Sequence, residues 1–383
     1  MSNNTPEIRF KGFTHAWEQR TLGEVADIFD GTHQTPNYVS EGIMFLSVEN
    51  INTLTSKKFI SEADYVENFK TAPKYGDILM TRIGDIGTAN VIRTNEKLAY
   101  YVSLALLKPN KSDADFLTTS IHSPYVQKKL WERTLHVAFP KKINLGEIEN
   151  IFIQAPSKSE QTRIGTFFRI LDDTITLHKR KRDGLKELKR GYLQQMFPQA
   201  GESVPRVRFA GFTEPWVERK LGEVVESEIK GNAKAEMLGL ESIYLDASYL
   251  NGGDQFYVDS PTNVQTEDVL ILWDGSQAGT VYHGFTGALG STLKAYKPKY
   301  SGSFLYQQLM KNQQKIYDSY RTPNIPHVIK TFTDEFAINI PTLSEQIAIG
   351  NFFRALDEQI ATQQQKLSQL KHLKSACLQK MFI

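Results

Sequence analysis

Ile8-Arg9-Phe10-Lys11-Gly12-Phe13-Thr14-His15-Ala16-Trp17-Glu18-Gln19-Arg20-Thr21-Leu22-Gly23-Glu24-Val25 is written again 199 positions later as Val207-Arg208-Phe209-Ala210-Gly211-Phe212-Thr213-Glu214-Pro215-Trp216-Val217-Glu218-Arg219-Lys220-Leu221-Gly222-Glu223-Val224. A second block recurs at an offset of 185: Pro156 to Gln161, Ile164-Gly165, Phe167-Phe168-Arg169 and Leu171-Asp172 return as Pro341 to Gln346, Ile349-Gly350, Phe352-Phe353-Arg354 and Leu356-Asp357. Both halves close alike, with Gln195-Met196-Phe197 matching Lys380-Met381-Phe382. Between these anchors the order persists: Gly76-Asp77-Ile78-Leu79 resembles Glu267-Asp268-Val269-Leu270, and Phe116-Leu117 resembles Phe304-Leu305. A repeat of this length decides the architecture before any local reading does. The chain is a tandem duplication with a kept framework and drifted interiors, the second shorter by 14 residues. Two domains specialised for different ligands would drift this way, and so would two domains diverging neutrally.

The 383 residues suit two or three domains. Hydrophobic content of 40% and charged content of 23% are those of a globular chain. No apolar run approaches the ~20 residues that span a bilayer, which predicts no membrane partner. The N-terminus shows neither a basic nor an apolar leader segment, and the one cysteine, Cys377, has no internal disulfide partner; a cytoplasmic protein is the expectation. A net charge of +2 is low for a binder relying on phosphate attraction, so any positive surface must be local or supplied by a partner.

The drifted interiors read as mixed α/β. Short apolar runs, Gly42–Leu46, Ile78–Met80, Ala89–Ile92, Tyr101–Leu107 and Val269–Leu272, predict strands separated by Gly, Asn, Asp and Pro turns. One helix per interior is expected, near Phe116–Glu132 and Phe304–Tyr320. The Pro-x-x-Ser-Glu-Gln blocks open long helices, with Ser159 and Ser344 as N-caps and Glu160 and Glu345 in the first turn. Apolar residues then form a narrow seam: Ile164, Phe167, Phe168, Leu171, Ile175, Leu185, Leu188, Tyr192 and Met196 in one helix. In the other they are Ile349, Phe352, Phe353, Leu356, Ile360, Leu367, Leu370, Leu373, Cys377 and Met381. Each helix spans ~35–40 residues, or ~55 Å, and Gly184 and Gly191 mark places where the first can kink. For the halves to be equivalent the helices must run antiparallel. The predicted fold is α+β: two pseudo-symmetric globular domains joined by a two-helix antiparallel coiled coil. The segments are 1–155 (first domain), 156–197 (first helix), 198–340 (linker and second domain) and 341–383 (second helix).

The duplicated Trp-x-x-Arg/Lys-x-Leu-Gly-Glu-Val segments, the Gly-Asp-Ile-Leu strand and Pro-x-x-Ser-Glu-Gln followed by Ile-Gly-x-Phe-Phe-Arg-x-Leu-Asp resemble the specificity subunit of type I restriction-modification systems. The resemblance covers nearly the whole chain, and the motif order, repeated twice, carries it. It implies two target recognition domains, each reading one half of a bipartite duplex DNA target, with the helices setting an unread spacer. It implies as partners two methylation subunits using S-adenosylmethionine and two ATP- and Mg-dependent restriction subunits, with no cofactor on this chain. The chain itself has no Asp/Asn-Pro-Pro-aromatic motif and no Gly-rich cofactor loop. Gly279–Thr286 has a P-loop outline, but Phe285 stands where the phosphate-binding lysine belongs, so it reads as a turn. The histidines lack i,i+4 pairing, so no zinc site is expected. A coiled-coil scaffold that binds only proteins is the alternative.

Base edges are read by side chains on loops held by a rigid scaffold. In the first domain the candidates are Thr32, His33, Gln34 and Thr35, after Gly31; Arg82, which either reads guanine or forms a structural ion pair; and Lys141 and Lys142, which either hold phosphate or are simply solvated. In the second they are Lys230, Asn232 and Lys234; Ser276 and Gln277, beside a Trp273 that reads as packing; and Arg321, Asn324 and His327 in the Pro-bounded loop Arg321–His327. On the first helix, Lys179, Arg180, Lys181 and Arg182 form the densest basic run, open to three readings: a phosphate rail, a docking face for the methylation subunit, or a solvated helix face.

Overall fold

A computed structural model describes residues 5–324 and 326–383; Met1–Asn4 and Ile325 of the second candidate loop lie outside the described residues. The chain divides into two compact units. One holds the chain up to His178 with Gln365–Ile383; the other is Lys179–Gln364, so each unit takes part of each long helix.

The first unit is built on an antiparallel four-stranded sheet in the order Ala26–Asp30, Leu104–Pro109, Ile78–Thr81, Ala89–Val91. Successive strand residues face opposite sides. Ile78, Met80, Ala105 and Leu107 enter one core cluster, and Leu79, Leu104 and Leu106 enter another. Both faces are covered, which explains unbroken apolar runs in place of alternation. A smaller sheet of Tyr38–Val39, Phe59–Ile60, Ile43–Leu46 and Leu98–Tyr100 covers one face, its last pair parallel. Glu18–Thr21 pairs with Phe152–Ala155 and ties the repeated segment to the foot of the long helix. The second unit repeats the plan. Its main sheet runs Val225–Lys230, Leu293–Pro298, Val269–Leu272, Val281–His283, with Val269 and Ile271 facing one core and Leu270 and Leu272 the other.

Several expectations are corrected. The helix near Phe116–Glu132 is two, Ala114–Ile121 and Pro124–Glu132, because Ser123 precedes proline, takes an extended backbone and caps the second. Phe304–Tyr320 is likewise Gly302–Lys311 and Gln313–Ser319. The strand expected from Tyr101 starts at Leu104. The long helices are Lys158–Gln195 and Leu343–Lys380, 38 residues each, and neither Gly184 nor Gly191 interrupts the first. They begin one residue before Ser159 and Ser344, which therefore lie in the first turn rather than capping it. On the expected seam, Leu188 and Leu373 are exposed.

The repeated residues form one frame, built once in each unit. Glu160 is buried, and its two carboxylate oxygens accept from Arg9 Nε and Nη2, each at 2.7 Å; Glu345 accepts from Arg208 in the same way at 2.7 Å. Trp17 meets Phe116 and Phe382 edge-on, as Trp216 meets Phe304 and Phe197. Cys377 is packed in the first of these clusters, as a small apolar residue would be. Gly165 lets the first long helix touch the start of Ala114–Ile121, for a Cβ there would lie 2.6 Å from the Phe116 amide nitrogen; Gly350 does the same against Ser301–Phe304 at 3.0–3.2 Å. Lys374 Nζ donates to Asp172 at 2.6 Å, and its repeat counterpart Lys189 to Asp357 at 2.7 Å.

Candidate nucleic-acid interface

In the first unit three separate loops are stitched edge to edge by backbone hydrogen bonds. Gly31 passes so close to Tyr101 that a Cβ would lie 2.5 Å from its carbonyl carbon, and here only glycine fits. Thr32 N then donates to Tyr100 O at 3.2 Å, Arg82 N to Ser103 O at 2.9 Å, Gly84 N to Lys141 O at 2.8 Å, Ile143 N to Arg82 O at 3.0 Å and Leu135 N to Lys142 O at 2.7 Å. The candidates, taken from three distant stretches of sequence, thus share one edge of the unit. His33, Gln34, Thr35 and Lys142 are exposed, and Thr32 and Lys141 half-buried, with Lys141 Nζ 4.5 Å from the Trp131 ring centre.

Arg82 does not share that exposure. It is 7% exposed and turned inward: Nη1 donates to Asp30 Oδ1 at 2.6 Å and to Val102 O at 3.2 Å, and Nε to Ile143 O at 3.2 Å. That is the geometry of the structural ion pair, and a guanine contact would have to dismantle it. Asp30 is the hub that the sequence reading missed. It also sits 2.8 Å from His33 Nε2 and accepts from Gly31 N at 3.0 Å, fixing the first loop to the second. A lone aspartate at a strand end carries no local signal of this.

The second unit repeats the stitching. Gly231 N donates to Leu293 O at 3.0 Å, Trp273 N to Thr292 O at 2.8 Å, Gly275 N to Pro326 O at 2.9 Å, Val328 N to Trp273 O at 2.9 Å and Thr322 N to His327 O at 3.0 Å. Lys230, Asn232, Lys234, Ser276, Gln277 and Asn324 are exposed along this edge. Arg321 is half-buried, its Nε on Tyr317 O at 3.1 Å and its Nη1 on Ser276 O at 3.3 Å; His327 Nδ1 lies 2.9 Å from Thr322 Oγ1. Where the first unit has Arg82, this one has Trp273, packed against the core with Lys294 Nζ 3.6 Å above its ring. Lys294 in turn pairs with Glu228 at 3.0 Å. Gly279–Thr286 is a turn and strand, with Gly279 at φ +94°.

On the first long helix Lys179, Arg180 and Lys181 are exposed, whereas Arg182 is occupied by Asp183 at 2.6 Å and Gln364 at 2.9 Å. Sequence reading also missed the turn between Leu135 and Lys142, where Val137 and Phe139 stand clear of the protein. Among the described residues no helix is long and apolar enough to cross a membrane.

The family model described as type I restriction modification DNA specificity domain matches residues 15–187 and again 213–372. The type I restriction enzyme MjaVIII specificity subunit of Methanocaldococcus jannaschii is 29% identical over 180 residues, which span 44% of this chain and 42% of that relative, less than half its length. The putative type I restriction enzyme MjaX specificity subunit of the same organism is 23% identical over 387 residues, 94% of this chain and 91% of the relative. The crystal structure of the type I restriction-modification system S subunit from M. genitalium superposes with a TM-score of 0.75 at 16% identity, covering 99% of both chains. A chain from a structure described as the basis of complex assembly and conformational transition of the type I R-M system gives 0.50 at 16% identity, covering 96% and 98%. The fold is shared with these structures.

Proposed function

We propose that this chain, which belongs to the type I restriction modification DNA specificity domain family, is the DNA-specificity subunit of a type I restriction-modification complex. Each unit reads one half of a bipartite duplex target through the stitched loop edge described above. The two long helices pair as an antiparallel coiled coil and set the unread gap. The equivalent pairs Lys374–Asp172 and Lys189–Asp357 support that pairing, since each joins the early part of one helix to the late part of the other. Methylation and restriction subunits, two of each, supply the chemistry together with S-adenosylmethionine, ATP and Mg; this chain binds none of these and acts as the address.

The observation that carries the reading is the contrast within each unit. The frame repeats its arginine–glutamate pair and its tryptophan–phenylalanine cluster in each unit, while the loops at the candidate edge carry different polar side chains on the same backbone stitching. Direct readout needs this combination, a constant register and a variable set of donors and acceptors. The test is selection of duplexes from a random-sequence pool by the full-length chain, with its methylation partner present. Two short defined blocks separated by a gap of fixed length and undefined sequence are expected. One continuous block, or no enriched sequence, would refute the reading.

A further inference from the structure

The turn between Leu135 and Lys142 presents two large apolar side chains to solvent: Val137 is 99% exposed and Phe139 104%. Its base is firmly held. Leu135 N donates to Lys142 O, Lys142 also bridges to Ile83, and Gly84 N donates to Lys141 O. Both arms lean on one indole, with the His136 ring tilted at 56° and its centre 4.3 Å from the Trp131 ring centre, and Lys141 Nζ 4.5 Å above it. A phenylalanine held outward on such a base is a protrusion built to be covered by something. Its neighbourhood selects the cover. Lys141 and Lys142 follow it on one arm of the turn, and carboxylates on the neighbouring helices are matched by other cations, Glu147 facing Arg133 at 3.6 Å and Glu132 facing Lys129 at 2.9 Å. The turn belongs to the same edge as His33 and Gln34. An apolar tip followed by two lysines fits a polyanion with a stacked aromatic interior.

We propose that Phe139, with Val137 beside it, is a wedge that enters a groove of duplex DNA and stacks on a base step within the half-site of the first unit, partly unstacking that step while Lys141 and Lys142 hold the flanking phosphates. This rests on the reading of the chain as a DNA-specificity subunit. The corresponding turn of the second unit, closed by Thr322 N donating to His327 O where the first has Leu135 N donating to Lys142 O, is two residues shorter in sequence and has no phenylalanine, tyrosine or tryptophan. The distortion is therefore confined to one half of the target.

The test uses duplexes recovered from the random-sequence pool, with 2-aminopurine placed in turn at each purine of both blocks, and the full-length chain as wild type, F139A, F139W and the double variant K141A/K142A. Wild type raises the fluorescence at one step of one block. F139A abolishes that rise and weakens binding about tenfold or more, the scale of one lost base–aromatic stack, while F139W keeps it. K141A/K142A retains the rise but lowers the slope of log affinity on log salt by about 2. Because Phe139 touches solvent on all sides, F139A should melt as wild type does. No fluorescence rise at any position, or an F139A variant that binds and fluoresces as wild type, overturns the wedge and leaves the recovered sequence, and hence the specificity reading, standing. Failure to recover any sequence removes both.

Discussion

At Glu160 and Glu345 the two units are interchangeable: the same carboxylate, buried at the foot of a long helix, grips the same arginine with the same 2.7 Å geometry. At Arg82 and Trp273 they are not. One unit stiffens its candidate loop edge with a buried Arg–Asp pair, the other with a tryptophan under a lysine, on backbones that hydrogen-bond alike. The frame has little freedom where its repeated members touch one another, as Arg9 grips Glu160 and Trp17 meets Phe116 and Phe382. The loop edge has more, because its register is held by main-chain bonds that any side chain tolerates. This places constancy and variation in different kinds of interaction, and each can be perturbed separately.

The largest effect is expected at the frame. Glu160→Ala strands the Arg9 guanidinium in a site where its side chain is 13% exposed, and the first unit should lose about 3–5 kcal/mol. Glu345→Ala should cost the second unit the same within about 1 kcal/mol, since the two sites match in burial and distance. Urea unfolding followed by hydrogen exchange on peptides from each unit measures both; a twofold disparity would break the equivalence. The glycine contacts sharpen the comparison. Gly165→Ala drives a Cβ to 2.6 Å from backbone, whereas at Gly350 the nearest atoms are 3.0 Å away and belong to serine side chains. The first should cost about 1–3 kcal/mol and the second clearly less, read from the same exchange profiles.

A third prediction concerns His122, which accepts the Ala89 amide hydrogen at Nε2, 3.1 Å away, and is lowered to about 4 by burial, then by Lys374. The folded state thus favours the neutral ring more than the unfolded chain does, so the stabilisation is complete above about pH 6.5 and is lost as pH falls from there towards 4. Between pH 7 and pH 5 the first unit should lose about 2 kcal/mol by this route. In the repeat His122 corresponds to Met310, and His122→Met should flatten that pH dependence in the first unit; an unchanged profile would contradict the assignment. His283 in the second unit is also held low by burial, so the comparison belongs within one unit. The smallest effects are expected at Lys374→Ala and Lys189→Ala, each within about 1 kcal/mol, because Asp172 and Asp357 remain partly solvated.

Much of this frame was legible in the repeat itself. Residues that reappear at a constant offset, such as Arg9 with Arg208 and Glu160 with Glu345, proved to be those that touch one another. What the linear pattern could not give was who pairs with whom, since Arg9 and Glu160 are 151 positions apart. The long helices were readable because the apolar spacing persists over many turns. The break at Ser123-Pro124 was lost because that same spacing runs through it, although Ser-Pro is itself a cap signal. The candidate loops were found from their polar, turn-forming residues, yet the inward turn of Arg82 depends on Asp30 at the end of another strand. Phe139 escaped notice because an apolar residue in a short segment reads as core until its neighbours are known.

The central claim is that each unit addresses one half of a divided target independently of the other. The most direct measurement replaces Val25–Gln154 with the matching segment of another family member and repeats the duplex selection. The account predicts that one block changes while the other block and the gap between them stay as they were; change in both blocks, or in neither, would contradict it.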